Sequence, residues 1–191
     1  MHHIYHTTGF IVGHKNIGEA NRLYHIFTRE LGMVTATAQG ARKIDSKTRF
    51  AIQEYGYAHI DLVRGKEMWR ITSVTPILHP VFFLNKNSRL LYVQILHTIR
   101  RLSGGEELNE EVFDILSNFL NILSDIEEEF LSVLEIVVMV QILFHLGYWQ
   151  KEESDSEDLY GIINKELLLN LNLNKISIVT RINNALLQTQ L

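Results

Sequence analysis

The sequence contains no cysteine and only two prolines, Pro76 and Pro80. Absence of cysteine excludes disulfides, thiolate nucleophiles, iron–sulfur clusters and every zinc site built on sulfur. An intracellular, cytoplasmic protein is the simplest expectation. Long hydrophobic runs are also missing: the longest apolar stretch, Phe130 to Leu146, is interrupted by Ser132, Glu135, Gln141 and His145. It falls short of the roughly 20 residues that span a bilayer and is expected to be a buried helix, with no membrane partner. The first residues, Met1-His2-His3-Ile4-Tyr5-His6, lack the basic and apolar regions of a secretory leader, so none is expected.

Catalytic signatures are equally scarce. There is no G-x-S-x-G elbow, H-E-x-x-H pair or P-loop, and Gly13 and Gly18 lack the third glycine of a dinucleotide fingerprint. His2, His3 and His6 at the chain's start are read as incidental rather than as a metal cluster. Glu127, Glu128 and Glu129 point in different directions on a helix and are read as a solvated start rather than a cation site. His145 is expected to be a core or helix-end residue. The expectation is a protein without catalytic residues, cofactor or metal.

What is present is a chain of 191 residues, 46% hydrophobic, with a formal charge of −4. About 100 to 200 residues make a domain, so one domain or two small ones fit. The hydrophobic period changes around the two prolines, which places the expected division between residues 1–75 and 76–191. Residues 1–75 carry ten Lys and Arg against six Asp and Glu, or +4, and residues 76–191 carry eight against sixteen, or −8. A near-neutral total therefore hides a basic first part, suited to an acidic partner, and an acidic second part.

The first part alternates with the period of two that marks strands. Val34, Ala36 and Ala38 alternate with Met33, Thr35 and Thr37; Ala58, Ile60 and Leu62 with Tyr57, His59 and Asp61; Trp69 and Ile71 with Met68, Arg70 and Thr72. Segments 5–14 and 22–28 complete five predicted strands. Arg64-Gly65-Lys66-Glu67 reads as a tight hairpin in which glycine takes a positive φ. Residues 41–54 read as a loop entering a short helix, with Ser46 as its N-cap. Three strands, a short helix and two strands is the order of an OB-fold barrel; a small SH3-like barrel is the competing architecture.

The second part has helical spacing. Leu90, Leu91, Val93, Ile95, Leu96, Ile99 and Leu102 form one stripe, ended by Ser103-Gly104-Gly105. Asn109 is placed to cap a second helix, with Val112, Leu116, Phe119 and Leu123 on its core stripe. Ser124-Asp125-Ile126-Glu127 matches a capping box for a third, which runs to Gly147 and is apolar nearly all round, as a central bundle helix is. Residues 152–158 read as an acidic linker, followed by helices over 159–171 and 175–191. The fold class expected is therefore α+β: an all-β barrel followed by an all-α bundle.

Basic residues concentrate in the first part. Arg42, Lys43, Lys47 and Arg49 lie close in sequence, and Arg22, Arg29, Arg64, Lys66 and Arg70 come from strands and turns that a small barrel gathers. Tyr24, Phe50, Tyr55, Tyr57 and Trp69 are interleaved with them. Cationic side chains neutralise phosphates and release counterions, while exposed aromatic faces stack on unpaired bases. Tyr24 and Tyr57 are the stacking candidates. Each aromatic taken singly fits a core position equally well, and basic residues also simply solvate surfaces. The cluster from Gly40 to Arg49 is read as a nucleic-acid contact.

In order and spacing the first part resembles the RecO recombination mediators. The resemblance is carried by Thr8-Gly9-Phe10-Ile11-Val12, Gly18-Glu19-Ala20-Asn21-Arg22-Leu23, Ile26-Phe27-Thr28-Arg29-Glu30-Leu31-Gly32, Gln39-Gly40-Ala41-Arg42-Lys43, Ser46-Lys47 and Val63 to Ile71. It covers residues 4 to 74. The remainder is more loosely similar to the family's helical domain, through Leu146-Gly147-Tyr148 and Ile182-Asn183-Asn184-Ala185-Leu186.

This resemblance implies an N-terminal OB domain and a helical domain acting without turnover in recombinational DNA repair. It implies binding of single- and double-stranded DNA, annealing of strands covered by single-strand-binding protein, and work with RecR to load the RecA recombinase. Family contacts to DNA map onto Arg42, Lys43, Lys47 and Arg49. Many members insert a four-cysteine zinc module after the Leu-Gly-Tyr segment; here Trp149 to Asp158 follow it, so zinc is not expected. The competing function is a protein adaptor whose barrel docks a partner and binds little DNA. A hydrolase with an unrecognised site is the remaining class.

Overall fold

The computed structural model describes residues 3–43, 47–171 and 174–189. Five strands, β1 (Ile4–Ile17), β2 (Asn21–Thr28), β3 (Gly32–Ala38), β4 (Tyr57–Arg64) and β5 (Trp69–Leu78), close into a barrel in the order β1-β2-β3-β5-β4. All pairings are antiparallel except β3 with β5, which is parallel. The short helix α1 (Lys47–Ala51) joins β3 to β4, and the OB-fold reading holds over the SH3-like one.

Closure depends on β1, which pairs with β4 through its first half and with β2 through its second. A bulge between Ile11 and Gly13 bends it, as an extra residue in one strand does. Gly9 lies at the crossing, where a Cβ would fall 2.7 Å from Ile26 Cγ2. The inward row is small where large side chains need room: Ala36, Ala38, Ala41 and Ala58 pack around Tyr24, Trp69, Ile26 and Ile60, with Ile52 arriving after α1.

Several local expectations change. β5 continues through Pro76, which pairs with Ala58 at a register shift; a bulge is where a strand tolerates a residue without an N–H. The boundary expected at 75/76 thus falls inside a strand. The chain divides instead into residues 1–83 with 103–110, and 84–102 with 111–191. The β4–β5 turn spans the residues between Arg64 and Trp69, and Gly65 is not among the positive-φ glycines. Glycine is needed there because a Cβ would stand 2.5 Å from the Met68 carbonyl oxygen. Ser46 lies outside the described residues.

The second unit contains α2 (Lys86–Leu102), α3 (from Glu111 of Glu110–Leu123), α4 (Leu131–His145), α5 (Lys165–Asn170) and α6 (Lys175–Gln188). Helix α4 is buried on nearly every side, as its composition predicts. The capping box does not form. Ser124 Oγ donates back to the Asn121 carbonyl, 2.8 Å away, and a 3-10 turn, Glu128–Phe130, intervenes before α4 begins. Leu90 faces solvent rather than the core. The expected helix over 159–171 is a 3-10 turn, Glu157–Tyr160, followed by the short α5. Asn164 and Asn174 cap α5 and α6 by accepting from the Leu167 and Ser177 amides.

The segment read as an acidic linker is a clasp. Arg181 on α6 bonds both carboxylate oxygens of Asp155, at 2.5 and 3.2 Å, reaches Glu152 at 3.2 Å, and lies 4.1 Å over the Trp149 ring. Tyr160 donates to Asp155 and accepts from Trp149 Nε1. Burial pushes the Asp155 carboxyl up, but bonds from Arg181, the Glu152 amide and Tyr160 outweigh it and hold the carboxyl below its ordinary value. Burial, helped by the bond to Asp155, pushes the Tyr160 phenol up to about 12.

Candidate nucleic-acid interface

Cationic side chains gather in two places on the barrel unit. The first is built by the β1–β2 turn and the loop after β3. Gly18 and Gly40 both have positive φ, at 57° and 67°, which lets each segment turn sharply. Asn21 Oδ1 accepts from the Gly40 amide at 2.9 Å, and the Arg42 amide donates to the Ala20 carbonyl at 3.0 Å. Arg42 then donates a guanidinium N–H to the Gly18 carbonyl. Loop and turn are thereby locked together, and Arg42 and Lys43 are exposed upon them.

Arg22 belongs to the same end. It lies opposite Asn16 on β1 and Ala38 on β3, and its Nε donates to Asn16 Oδ1 at 3.2 Å. Arg22, Arg42 and Lys43 are thus brought together by strand register and turn geometry. Lys47 opens α1, but its side chain lies outside the described residues.

A cross-strand row continues from this end over the outer face of the barrel. Lys15 pairs with Leu23, Leu23 with Thr37, and Thr37 with Arg70. Lys15 and Arg70 are exposed at the two ends of that row, about 14 Å apart at three strand spacings of about 4.8 Å. Lys15 was not singled out from the sequence. Its signal was available only once the bulge in β1 and the register with β2 were known, because a one-residue slip moves a side chain to the other face.

The second place is the β4–β5 hairpin. Lys66 is exposed at the turn, but Arg64 is paired with Glu106, from the segment linking α2 to α3 that belongs to this unit. Trp69 Nε1 donates to the other oxygen of the same carboxylate at 2.9 Å. Arg64 therefore has a carboxylate where a phosphate was expected.

Arg29 and Arg49 remain to be placed. Arg29 follows β2 at the end opposite Arg22, about 23 Å away along a strand rising about 3.3 Å per residue. It is not brought to the Arg42 cluster. Arg49 lies exposed on α1 beside Phe50, a residue 66% exposed. Phe82 of this unit is more exposed still, at 74%, but stacks one face on His79, 4.4 Å away.

Both stacking candidates change character. Tyr24 is fully buried in the barrel core, because even-numbered positions of β2 share the inner face with Ile26, and Ala36 opposite leaves space for the ring. Its hydroxyl has no hydrogen-bond partner among the described residues. It is a core residue and offers no face to a base. Tyr57 is half-buried on the outer side of β4 and stacks on Phe10 with centroids 4.4 Å apart, so one face of its ring is taken. Trp69 is also core, with its N–H bonded to Glu106 and the Arg64 guanidinium over its ring, so it offers no free face to a base.

The amino-terminal histidines form other contacts. His6 Nδ1 lies 2.6 Å from Asp61 Oδ1 and His3 packs edge-on against Tyr5, while His2 lies outside the described residues. Among the described residues no group of three or more His, Asp or Glu is placed to hold a metal ion, and no helix is long and apolar enough to cross a membrane.

Residues 1–79 match the family described as Recombination protein O N terminal. The DNA repair protein RecO of Alkaliphilus metalliredigens is 24% identical over 131 residues, covering 67% of this chain and 52% of that protein. The protein of the same name from Acetivibrio thermocellus is 29% identical over 144 residues, covering 74% and 57%. That of Desulfitobacterium hafniense is 34% identical over 73 residues, covering 38% and 27%. The chain spans about half the length, 52% and 57%, of the first two of these relatives.

Proposed function

Because the chain belongs to the RecO family through its barrel, we propose that it is a DNA-binding recombination mediator acting in DNA repair without catalytic turnover. The observation that carries this reading is the convergence of Arg22, Arg42 and Lys43 on one end of the barrel, continued by Lys15 and Arg70 along the adjoining row. These cations hold phosphates of single- or double-stranded DNA without reading base identity. Phe50 beside Arg49 supplies one stacking face for an unpaired base. The relatives' name supports a role in DNA repair; strand annealing, recombinase loading with a RecR-like protein, single-strand-binding protein and RecA as partners, and a place in the bacterial cytoplasm are what the resemblance implies for this chain.

The test is a salt titration of binding to a single-stranded oligonucleotide. Three to five phosphate contacts give a slope of log affinity against log salt of about −2 to −3.5, or roughly a 20- to 130-fold loss between about 50 and 200 mM salt. Replacing Arg42 and Lys43 by alanine lowers the steepness by about 1.4 and weakens all sequences alike. A slope near zero for the parent, or an unchanged double variant, overturns the assignment.

A protein adaptor remains the second reading because of one observation: Glu106 pairs with Arg64, and the segment bearing it reduces the charge of the barrel unit. A stable complex with a RecR-like protein, formed by a chain that does not bind DNA at low salt, would favour it.

A further inference from the structure

We propose that Arg64 and the Trp69 indole form an anion site on the barrel that the chain's own Glu106 occupies, and that a nucleic-acid phosphate competes with Glu106 for it. The inference rests on the DNA-binding reading above and adds a regulated contact to it. Segment 103–110, which contains Glu106, belongs to the barrel unit.

The site is formed by two converging donors. Trp69 is nearly buried, so its indole N–H needs an acceptor, and Glu106 Oε1 provides it at 2.9 Å. Arg64 lies 4.8 Å over the Trp69 ring, which orients the guanidinium, and bonds Glu106 Oε2. Tyr5 packs edge-on against the same indole at 5.0 Å and holds it in place. A guanidinium and an N–H aimed at two oxygens of one anion suit a phosphate as well as a carboxylate.

The occupant is weakly held while the segment that carries it is firmly attached. Arg64 and Glu106 side chains are 56% and 43% exposed, so their pair is hydrated and screened by salt. The segment itself is fixed by backbone. Gly105 accepts from the Met33 amide at 2.9 Å, and Glu107 lies so close to Gly32 that a Cβ there would fall 2.2 Å from the Glu107 carbonyl oxygen. Glu106 can therefore turn away from Arg64 without detachment of the segment.

Charge points to the same competition. Residues 1–83 hold ten basic and six acidic side chains, a charge of +4; Glu106, Glu107 and Glu110 reduce the whole unit to +1. The segment thus opposes polyanion binding generally, and Glu106 opposes it at one defined contact.

The experiment measures fluorescence anisotropy of a labelled single-stranded oligonucleotide with full-length parent, Glu106→Gln, Arg64→Ala and the double variant. Glutamine keeps the acceptor for Trp69, so the segment keeps its anchor, but loses the charge. Glu67→Gln, an exposed carboxylate on the same hairpin, controls for removal of one charge. Expected results are affinity about fivefold tighter for Glu106→Gln than for Glu67→Gln, and a salt slope steeper by about 0.7. Arg64→Ala should change the parent less than twofold yet abolish the gain when combined with Glu106→Gln. Equal affinities for Glu106→Gln and Glu67→Gln, or a gain that survives Arg64→Ala, overturn the inference. If those results occur while Arg42→Ala with Lys43→Ala still weakens the parent, DNA binding by the Arg42 end stands. If the parent binds no oligonucleotide at low salt, the functional reading fails and the inference fails with it.

Discussion

Replacement of Arg181 by alanine should destabilise the helical unit far more than a surface substitution does. The Asp155 side chain is 3% exposed and Arg181 bonds both its oxygens, at 2.5 and 3.2 Å. Removal of the guanidinium leaves a buried carboxylate with, among the described residues, the Tyr160 hydroxyl and the Glu152 amide. Stranding one member of a buried pair costs about 3 to 5 kcal/mol, and loss of the contact with Trp149 adds about 0.5 to 1 kcal/mol. With a urea dependence of about 2 kcal/mol per molar, a loss of about 4 kcal/mol lowers the midpoint by about 2 M.

The sign with pH follows from the depressed Asp155 value. Its contribution is complete above the ordinary carboxylate pKa near 3.9 and disappears as pH falls through the lower folded value. The parent therefore loses its advantage over Arg181→Ala in acid. Urea unfolding followed by circular dichroism at pH 7 and at about pH 3 measures both effects. A shift below about 0.5 M at pH 7, or a difference between parent and variant that grows in acid, would refute this account of the clasp. Combining Arg181→Ala with Asp155→Asn should recover part of the loss, because no charge is then stranded.

Tyr24→Phe removes a buried hydroxyl that has no partner among the described residues, so the variant should equal or exceed the parent in denaturant midpoint and bind oligonucleotide unchanged; weakened binding would return Tyr24 to the interface. Gln141→Leu strands the Leu159 and Gly161 carbonyls, to which its amide donates at 3.1 and 2.7 Å, and should cost about 2 to 4 kcal/mol in unfolding free energy. Tyr160 contributes in the opposite sense to Asp155: its stabilisation is complete below pH 10 and is lost as pH rises towards about 12, which Tyr160→Phe should remove from the alkaline arm of the unfolding profile.

The barrel's inner face was legible because period-two alternation assigns Val34, Ala36, Ala38, Ala58, Ile60 and Leu62 to one side without knowledge of their neighbours. Central helix α4 was legible because an apolar surface on every side must be covered. Helix and strand boundaries were less so. Pro76 reads locally as a stop, and only the bulge opposite Ala58 accommodates it in β5. Ser124 reads locally as a cap, and only the proximity of the Asn121 carbonyl turns its hydroxyl the other way.

The candidate site divides in the same manner. Sequence alone determined that the leading part is basic, that its loop from Gly40 carries Arg42 and Lys43, and that no thiol chemistry is available, since these depend on composition and short spacing. Tertiary structure decided which cations share a surface. Arg70 reaches the row of Lys15 only through two intervening strands, Tyr24 is enclosed by residues from β3, and Arg64 meets a carboxylate 42 positions further along the chain. Electrostatic forces depend on distance in space, and a barrel sets those distances by cross-strand register and by the return of remote segments, neither of which a local pattern encodes.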